Sequence, residues 1–456
     1  MSAGAAPEEG PEGAGSAQAG LDDPMPPAAP RRFGPWTLTF LVVANMIGAG
    51  VFTTSGFTLA ELGTPGRVLL AWALGGVVAL AGAVSYGRLV RVIPESGGEY
   101  RFLSSAAHPL LGQVAGWTSL IAGFAGAIAF AATALESYLL PASVRPDWLP
   151  TDAVAIAVVL AAALLHGWGP GLGASLQNVA VALKLVLLVT FVGFAVAMPG
   201  GAVWSGGAVE GAGELSILAL ASALVWISLS YSGFNAAVYV AEESTEVARI
   251  VPRALLVGTV VTTILYLGLN AIFVLAPPPG EVAGSPDVAA VAARWIGGDA
   301  LERGVRGVIA VALLTSVSSL SMAGPRVAVK MAEDGLLPGR LRFREGRPLG
   351  AVLLQAGLAV LIIALASLEE LLGYLGLTLS LCAALTVGCL FVPGVRAREP
   401  VGSGPWIPGF FVAATVLSGV LLALRSPAQL VAAGVTFAVG TVMHLATRRR
   451  GTDRSA

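Results

Sequence analysis

Lys184 sits in the run Val179-Ala-Val-Ala-Leu-Lys-Leu-Val-Leu-Leu188, with no other charge beside it. Counted from the start of its apolar segment, it lies about ten residues in, or about 15 Å deep at helical rise. A charge near mid-membrane costs at least about 2.5 kcal/mol, so such a lysine is functional, neutral or paired. Two further runs carry backbone chemistry. The segment Trp36–Ser55 is interrupted at Ile47-Gly-Ala-Gly-Val-Phe52, and the segment Ala223–Tyr239 at Ser230-Tyr-Ser-Gly-Phe-Asn235. At membrane depth, interrupted backbone is tolerated only where it lines a buried cavity. A pair of such interruptions in corresponding halves of a chain points to a transporter binding site. If a second half-helix begins near Gly50, the N–H groups of Gly48, Ala49, Gly50 and Val51 form an anion site suited to a carboxylate. Glycine leaves that approach open. The competing reading is a small-residue packing face.

These residues must be placed by membrane-spanning helices. The chain is 56% hydrophobic and 12% charged, against about 25% charged in soluble domains. The bilayer is therefore the expected solvent and lipid the expected surroundings. A formal net charge of −1 argues against nucleic acid as a partner. Two cysteines, Cys382 and Cys389, are too few for a disulfide framework or a metal cage, and no cofactor is expected. His108, His166 and His444 lack ligand partners at metal spacing.

Twelve candidate spans follow from hydropathy and punctuation: 36–63, 66–92, 109–140, 151–166, 174–199, 215–246, 249–276, 304–333, 348–366, 368–392, 405–424 and 427–447. The first 35 residues read as a disordered cytoplasmic tail. Residues 36–199 and 200–392 form two sets of five spans, each opened by an interrupted helix; 393–456 hold spans eleven and twelve and a short tail. An odd number of spans per set inverts one against the other. With the N-terminus inside, about 19 of the 26 Lys and Arg residues lie on the inner side and about 6 outside. Both termini are thus expected in the cytoplasm, in a multi-pass protein of the plasma membrane, or the inner membrane of a Gram-negative source. The run Arg448-Arg-Arg450 is an anchor of that kind. Ser316 and Ser319, three apart on the eighth span, share a helix face and are candidate partners of Lys184, alongside carbonyls at the first interruption. Gly123, Gly126 and Ala127 thin the third span and leave room for a substrate side chain. Glu136 lies near its outer end, at the interface or in a vestibule.

The same residues resemble the amino acid–polyamine–organocation superfamily. Ile47-Gly-Ala-Gly-Val-Phe52 is similar to that family's Gly-x-Gly-Ile-Phe motif. Tyr86-Gly-Arg-Leu with Pro94-Glu-Ser-Gly-Gly-Glu-Tyr100 resembles the loop after its second helix. Ser230-Tyr-Ser-Gly-Phe-Asn235, Ala241-Glu-Glu243 and Ile250-Val-Pro-Arg253 resemble its sixth helix and the loop beyond, and Gly324-Pro-Arg326 through Pro338 the end of its eighth. The resemblance implies a LeuT-type fold, all-α, with a 5+5 inverted repeat and broken helices one and six, and transport of amino acids or amines. It implies that the substrate ammonium meets carbonyls of Met46 or Ile47 and of Leu229, Ser230 and Ser232, with Phe234 stacked over it as a gate. It also implies that Lys184 takes the place of a sodium ion in sodium-coupled relatives, consistent with H⁺ coupling, since burial disfavours a charged lysine.

The expectation is a secondary active amino acid permease working by alternating access, with its substrate site at the midplane and H⁺ as coupling ion. Its rivals are an ion-independent amino acid exchanger and an amine or polyamine transporter. A non-transporting amino acid sensor would need a signalling segment, and both tails are short and low in complexity. An intramembrane enzyme would need a catalytic dyad at depth, and no His or Asp lies deep in a span. The sequence does not specify the amino acid, the oligomeric state or a partner subunit.

Overall fold

The computed structural model describes residues 33–141, 144–168, 185–186, 188–193, 195, 207–333, 335–342, 348–400 and 404–452. The described chain is helical almost throughout. Helix α1 (Pro35–Met46) begins with proline at its first turn, and α2 (Gly50–Leu62) ends on Gly63 at φ +77°. The two are bent by 44° at the intervening residues. Helix α3 (Pro65–Val92) is capped by the Thr64 hydroxyl, which accepts from the Arg67 N–H, and again carries proline in its first turn. That combination fills an orphan donor and removes another. A short α4 (Gly98–Ala106) follows. Helix α5 runs Pro109–Leu139, with a π-helical stretch, Ser119–Gly126, in its middle.

Helix α6 (Ala153–Trp168) precedes residues 185–195, which are helical where described. Helix α7 (Ile217–Tyr231) starts on a Ser216 cap and gives way to a 3₁₀ segment, Ala236–Glu243. Helix α8 (Val247–Leu275) carries Pro252 in its interior. Segment α9 (Val288–Glu333) is two helices that meet at Gly297 and Gly298, where the backbone leaves helical geometry. The chain closes with α10 (Leu349–Leu365), α11 (Leu368–Gly388, opened by a Ser367–Glu370 capping box), α12 (Trp406–Arg425) and α13 (Pro427–Thr452).

Among the described residues, eight helices are long and apolar enough to cross a membrane, nine if the bent α1–α2 pair is one span; α6 and α10 are shorter apolar helices. The exposed face is apolar: Leu70, Leu74 and Val77 on α3, Val257, Val261 and Ile264 on α8, and Leu417, Val420 and Leu424 on α12. Their spacing of three and four marks one stripe per helix, and a stripe of this kind facing outward suits lipid. Polar residues lie inside instead: Thr53, Thr54, Ser55, Thr259, Thr262 and Asn270 are fully buried. Helix α8 packs along α3 and α1, α9 along α5, and α7 against α2, α3, α11 and α12. The bend and the end of α7 therefore lie inside the bundle.

Candidate functional site

At the first bend, Met46 ends α1 and Gly50 begins α2. The Gly48 N–H turns back to Met46 O at 2.8 Å, and the Phe52 N–H reaches Ala49 O at 3.1 Å. Among the described residues, the N–H groups of Ala49, Gly50 and Val51 donate to no carbonyl or side chain. All three residues are buried. Buried N–H groups without partners are rare, and each costs about 1–3 kcal/mol. Three in succession at a helix start present a positively polarised cradle to whatever lies beside them.

The second interruption is held against the first. Gly233 stands at φ +99°, a conformation that suits glycine. A Cβ there would lie 2.8 Å from Asn45 O and 3.1 Å from Met46 N. A Cβ on Gly50 would likewise come within 2.9 Å of Ser230 Cα and collide with its hydroxyl. The two segments thus meet backbone to backbone, with a glycine on each side of the crossing. The Ser230 hydroxyl also lies 3.1 Å from that of Thr54.

The carbonyls at the crossing are shared out unevenly. Met46 O accepts from Gly48 N and, at 2.6 Å, from the Tyr266 hydroxyl. Leu229 O accepts from both the N–H (3.1 Å) and the hydroxyl (2.7 Å) of Ser232. Ser230 O meets the Tyr266 hydroxyl at 3.0 Å, and no second donor among the described residues, so one acceptor position is open. Ile47 is buried in the same wall.

Sequence reasoning missed Tyr266. Its hydroxyl stands between the last carbonyl of α1 and the Ser230 carbonyl of α7 and ties both helices to α8. Asn270, one turn on, donates to Tyr266 O at 2.8 Å and accepts from the Ser55 hydroxyl. Ser55 accepts from the Trp72 indole at 2.9 Å. The rings of Trp72, Tyr231 and Tyr266 lie 5.2–5.8 Å apart, centroid to centroid. On the other flank the Tyr138 hydroxyl donates to Phe52 O at 2.7 Å. The signal available in the sequence was a tyrosine and an asparagine four apart within an apolar span.

The remaining expected residues are placed as follows. Phe234 is buried, edge-on to Tyr86 (5.4 Å) and to Phe411 (6.2 Å); stacking over a ligand requires it to leave that packing. The Ser316 hydroxyl donates to Ala312 O of its own helix at 3.0 Å. Ser319 is half-buried, and it is the adjacent Ser318 that bonds across to α6, 2.9 Å from His166 Nε2. Lys184 lies outside the described residues. The space beside Gly126 is filled by Leu375, and Leu379 lies 3.9 Å from a Cβ on Gly123; the thin stretch of α5 here receives leucines of α11. Glu136 faces the protein interior. It is buried, accepts from Arg145 and from the N–H groups of Asp152 (2.9 Å) and Ala155 (2.8 Å), and so caps the start of α6.

Comparison with known proteins adds an independent line. Residues 33–445 match the family described as Amino acid permease. The b(0,+)-type amino acid transporter 1 of Mus musculus is 28% identical over 254 residues, covering 55% of this chain and 52% of the relative. The Asc-type amino acid transporter 1 of Mus musculus is 25% identical over 380 residues, 79% of this chain and 69% of the relative. The Large neutral amino acids transporter small subunit 2 of Mus musculus is 26% identical over 378 residues, 79% and 69% respectively. The chain thus spans about half the length of the first of these relatives and about two thirds of the others.

Proposed function

Because the chain belongs to the amino acid permease family, a family of transporters rather than enzymes, we propose that it moves amino acids across the plasma membrane by alternating access. The observation that carries the reading is the row of three buried N–H groups at Ala49, Gly50 and Val51, which meet no partner among the described residues, facing a crossing where Ser230 O accepts from the Tyr266 hydroxyl and from no second donor among them. An amino acid brings a carboxylate and an ammonium group on one carbon. A helix start supplies donors for the first, and unwound carbonyls supply acceptors for the second. Met46, Ile47, Gly48, Leu229 and Ser232 complete the wall, and Phe234 would gate it.

The proposed topology is twelve spans in two inverted sets of five, with both tails in the cytoplasm. The bend between α1 and α2, and the end of α7 with its 3₁₀ continuation, then stand in equivalent places of the two sets. The proposed coupling ion is H⁺, carried by Lys184 with Ser316 and Ser319 near its path; an ion-independent exchanger is the alternative within the same class. The test is uptake of radiolabelled amino acids into proteoliposomes, with and without an imposed pH gradient. Saturable uptake supports transport, and stimulation by the gradient supports the proton role.

A further inference from the structure

Glu99 is buried and carries a carboxylate that no Lys or Arg meets among the described residues. It is held by neutral donors from three directions. The Tyr86 hydroxyl of α3 reaches Oε1 at 2.9 Å, the Asn235 side-chain amide donates to the same oxygen, and the Tyr239 hydroxyl donates to Oε2. Asn235 and Tyr239 belong to the arm that leaves the second interruption. Gly233, two residues before Asn235, is the residue packed on Asn45 O.

The residues before Glu99 are built for this contact. Gly97 stands at φ +123° and Gly98 at φ +57°, both in the region that favours glycine. A Cβ on Gly98 would lie 2.7 Å from Tyr239 Cζ, so the missing side chain is what lets the Tyr239 ring lie on the backbone and its hydroxyl reach the carboxylate. Ser96 continues the seam, its hydroxyl accepting from the Glu242 N–H at 3.0 Å. The entry to α1 joins the same arm, where the Phe33 N–H donates to Glu243 O at 2.7 Å. The thiol of Cys382 and the two tyrosines are the other titratable groups that interact with this carboxylate.

We propose that Glu99 is a positioning residue of the substrate site: it fixes the arm Asn235–Glu243, and release of the amino acid towards the cytoplasm requires Asn235 and Tyr239 to come off its carboxylate. The inference rests on the transport reading for its second half only; the first half is a statement about which contacts hold the arm closed. A carboxylate suits the role because charged acceptors make the stronger hydrogen bonds, and neutral donors leave no second charge stranded when the contact parts.

Ser244 supplies a reporter. It is buried at the end of the arm, and its hydroxyl has no hydrogen-bond partner among the described residues, so Ser244→Cys removes no contact. The experiment measures the rate at which a polar maleimide labels Ser244→Cys in the purified full chain, corrected for the parent with its two native cysteines. It is made alone, with Glu99→Gln and with Tyr239→Phe, and the KM and Vmax for uptake are measured on the same proteins. The expected result is labelling at least about fivefold faster in Glu99→Gln and about twofold faster in Tyr239→Phe, with KM raised and Vmax held within twofold, as expected when a smaller fraction of molecules is competent to bind. Restoring the glutamate must restore both values. Labelling rates within experimental error of the reporter alone in both variants overturn the proposal. Faster labelling with KM unchanged also overturns it, because the arm then moves without moving the site. If Glu99→Gln does not fold, Tyr239→Phe, which keeps the ring, decides alone. If the unmodified chain takes up no amino acid, the transport reading fails while the labelling rates still judge the latch.

Discussion

Replacing Gly233 with alanine tests the meeting of the two interrupted helices at its tightest point. The new methyl group faces two penalties. At φ +99° a residue with a Cβ is strained by about 1–2 kcal/mol. The Cβ would also lie 2.8 Å from Asn45 O and 2.9 Å from Asn45 C. Those are backbone atoms that no rotamer change removes, and forced backbone shifts cost about 1–3 kcal/mol. Together the docked arrangement loses roughly 2–5 kcal/mol relative to one with the segments apart. Where the docked form is not strongly favoured without ligand, the lower figure weakens a ligand that needs it by up to about thirtyfold. In a thermal-shift assay a ligand at about 100 times its Kd stabilises by about 2.7 kcal/mol; a thirtyfold weaker Kd leaves about 0.9 kcal/mol at the same concentration. Gly211→Ala is the control. Its φ is +78° but nothing lies within 4 Å of the new Cβ, so the strain is shared and the clash is not. The reasoning is refuted if Gly233→Ala binds within about twofold of wild type, or if Gly211→Ala loses as much.

Three other outcomes are expected. Tyr266→Phe deletes the hydroxyl shared by Met46 O and Ser230 O; it should cost about 1–3 kcal/mol of stability, read as a lowered midpoint in denaturation, and should also weaken ligand binding. For topology, single cysteines at Ser2 and Ser285 on a cysteine-free background should label only at Ser285 when intact cells meet an impermeant reagent; labelling at Ser2 alone reverses the proposed orientation. Lys184→Ala should abolish accumulation driven by a pH gradient while some downhill exchange survives. Wild-type uptake indifferent to the gradient removes the proton role and favours the ion-independent exchanger.

Helix placement was legible because it depends on local information. Spans expected at 66–92, 109–140 and 405–424 correspond to Pro65–Val92, Pro109–Leu139 and Trp406–Arg425, each marked by proline at one end and a long apolar run. The bend after Met46 was legible because Gly48 and Gly50 interrupt such a run. Span eight was legible to within a few residues: a start at 304 was expected, and Gly297 and Gly298 leave helical geometry between a preceding helix and the one that runs on to Glu333. Long-range partners were illegible. Nothing near Gly126 announces Leu375, and nothing near Glu99 announces Asn235 or Tyr239, 136 and 140 residues away. Glu136 showed the same limit, since its role as a cap for α6 depends on a turn that returns Asp152 and Ala155 to it.

The central claim is that an amino acid is carried at the crossing of the two interrupted helices. Its most direct test is uptake of radiolabelled amino acids into proteoliposomes bearing wild-type protein or Gly50→Leu, whose side chain would fill the place against Ser230. The account predicts saturable uptake of at least one common amino acid by wild type, and uptake at the level of protein-free liposomes by a well-inserted Gly50→Leu variant. Wild-type uptake that never exceeds protein-free liposomes for any amino acid, or undiminished uptake by Gly50→Leu, would contradict it.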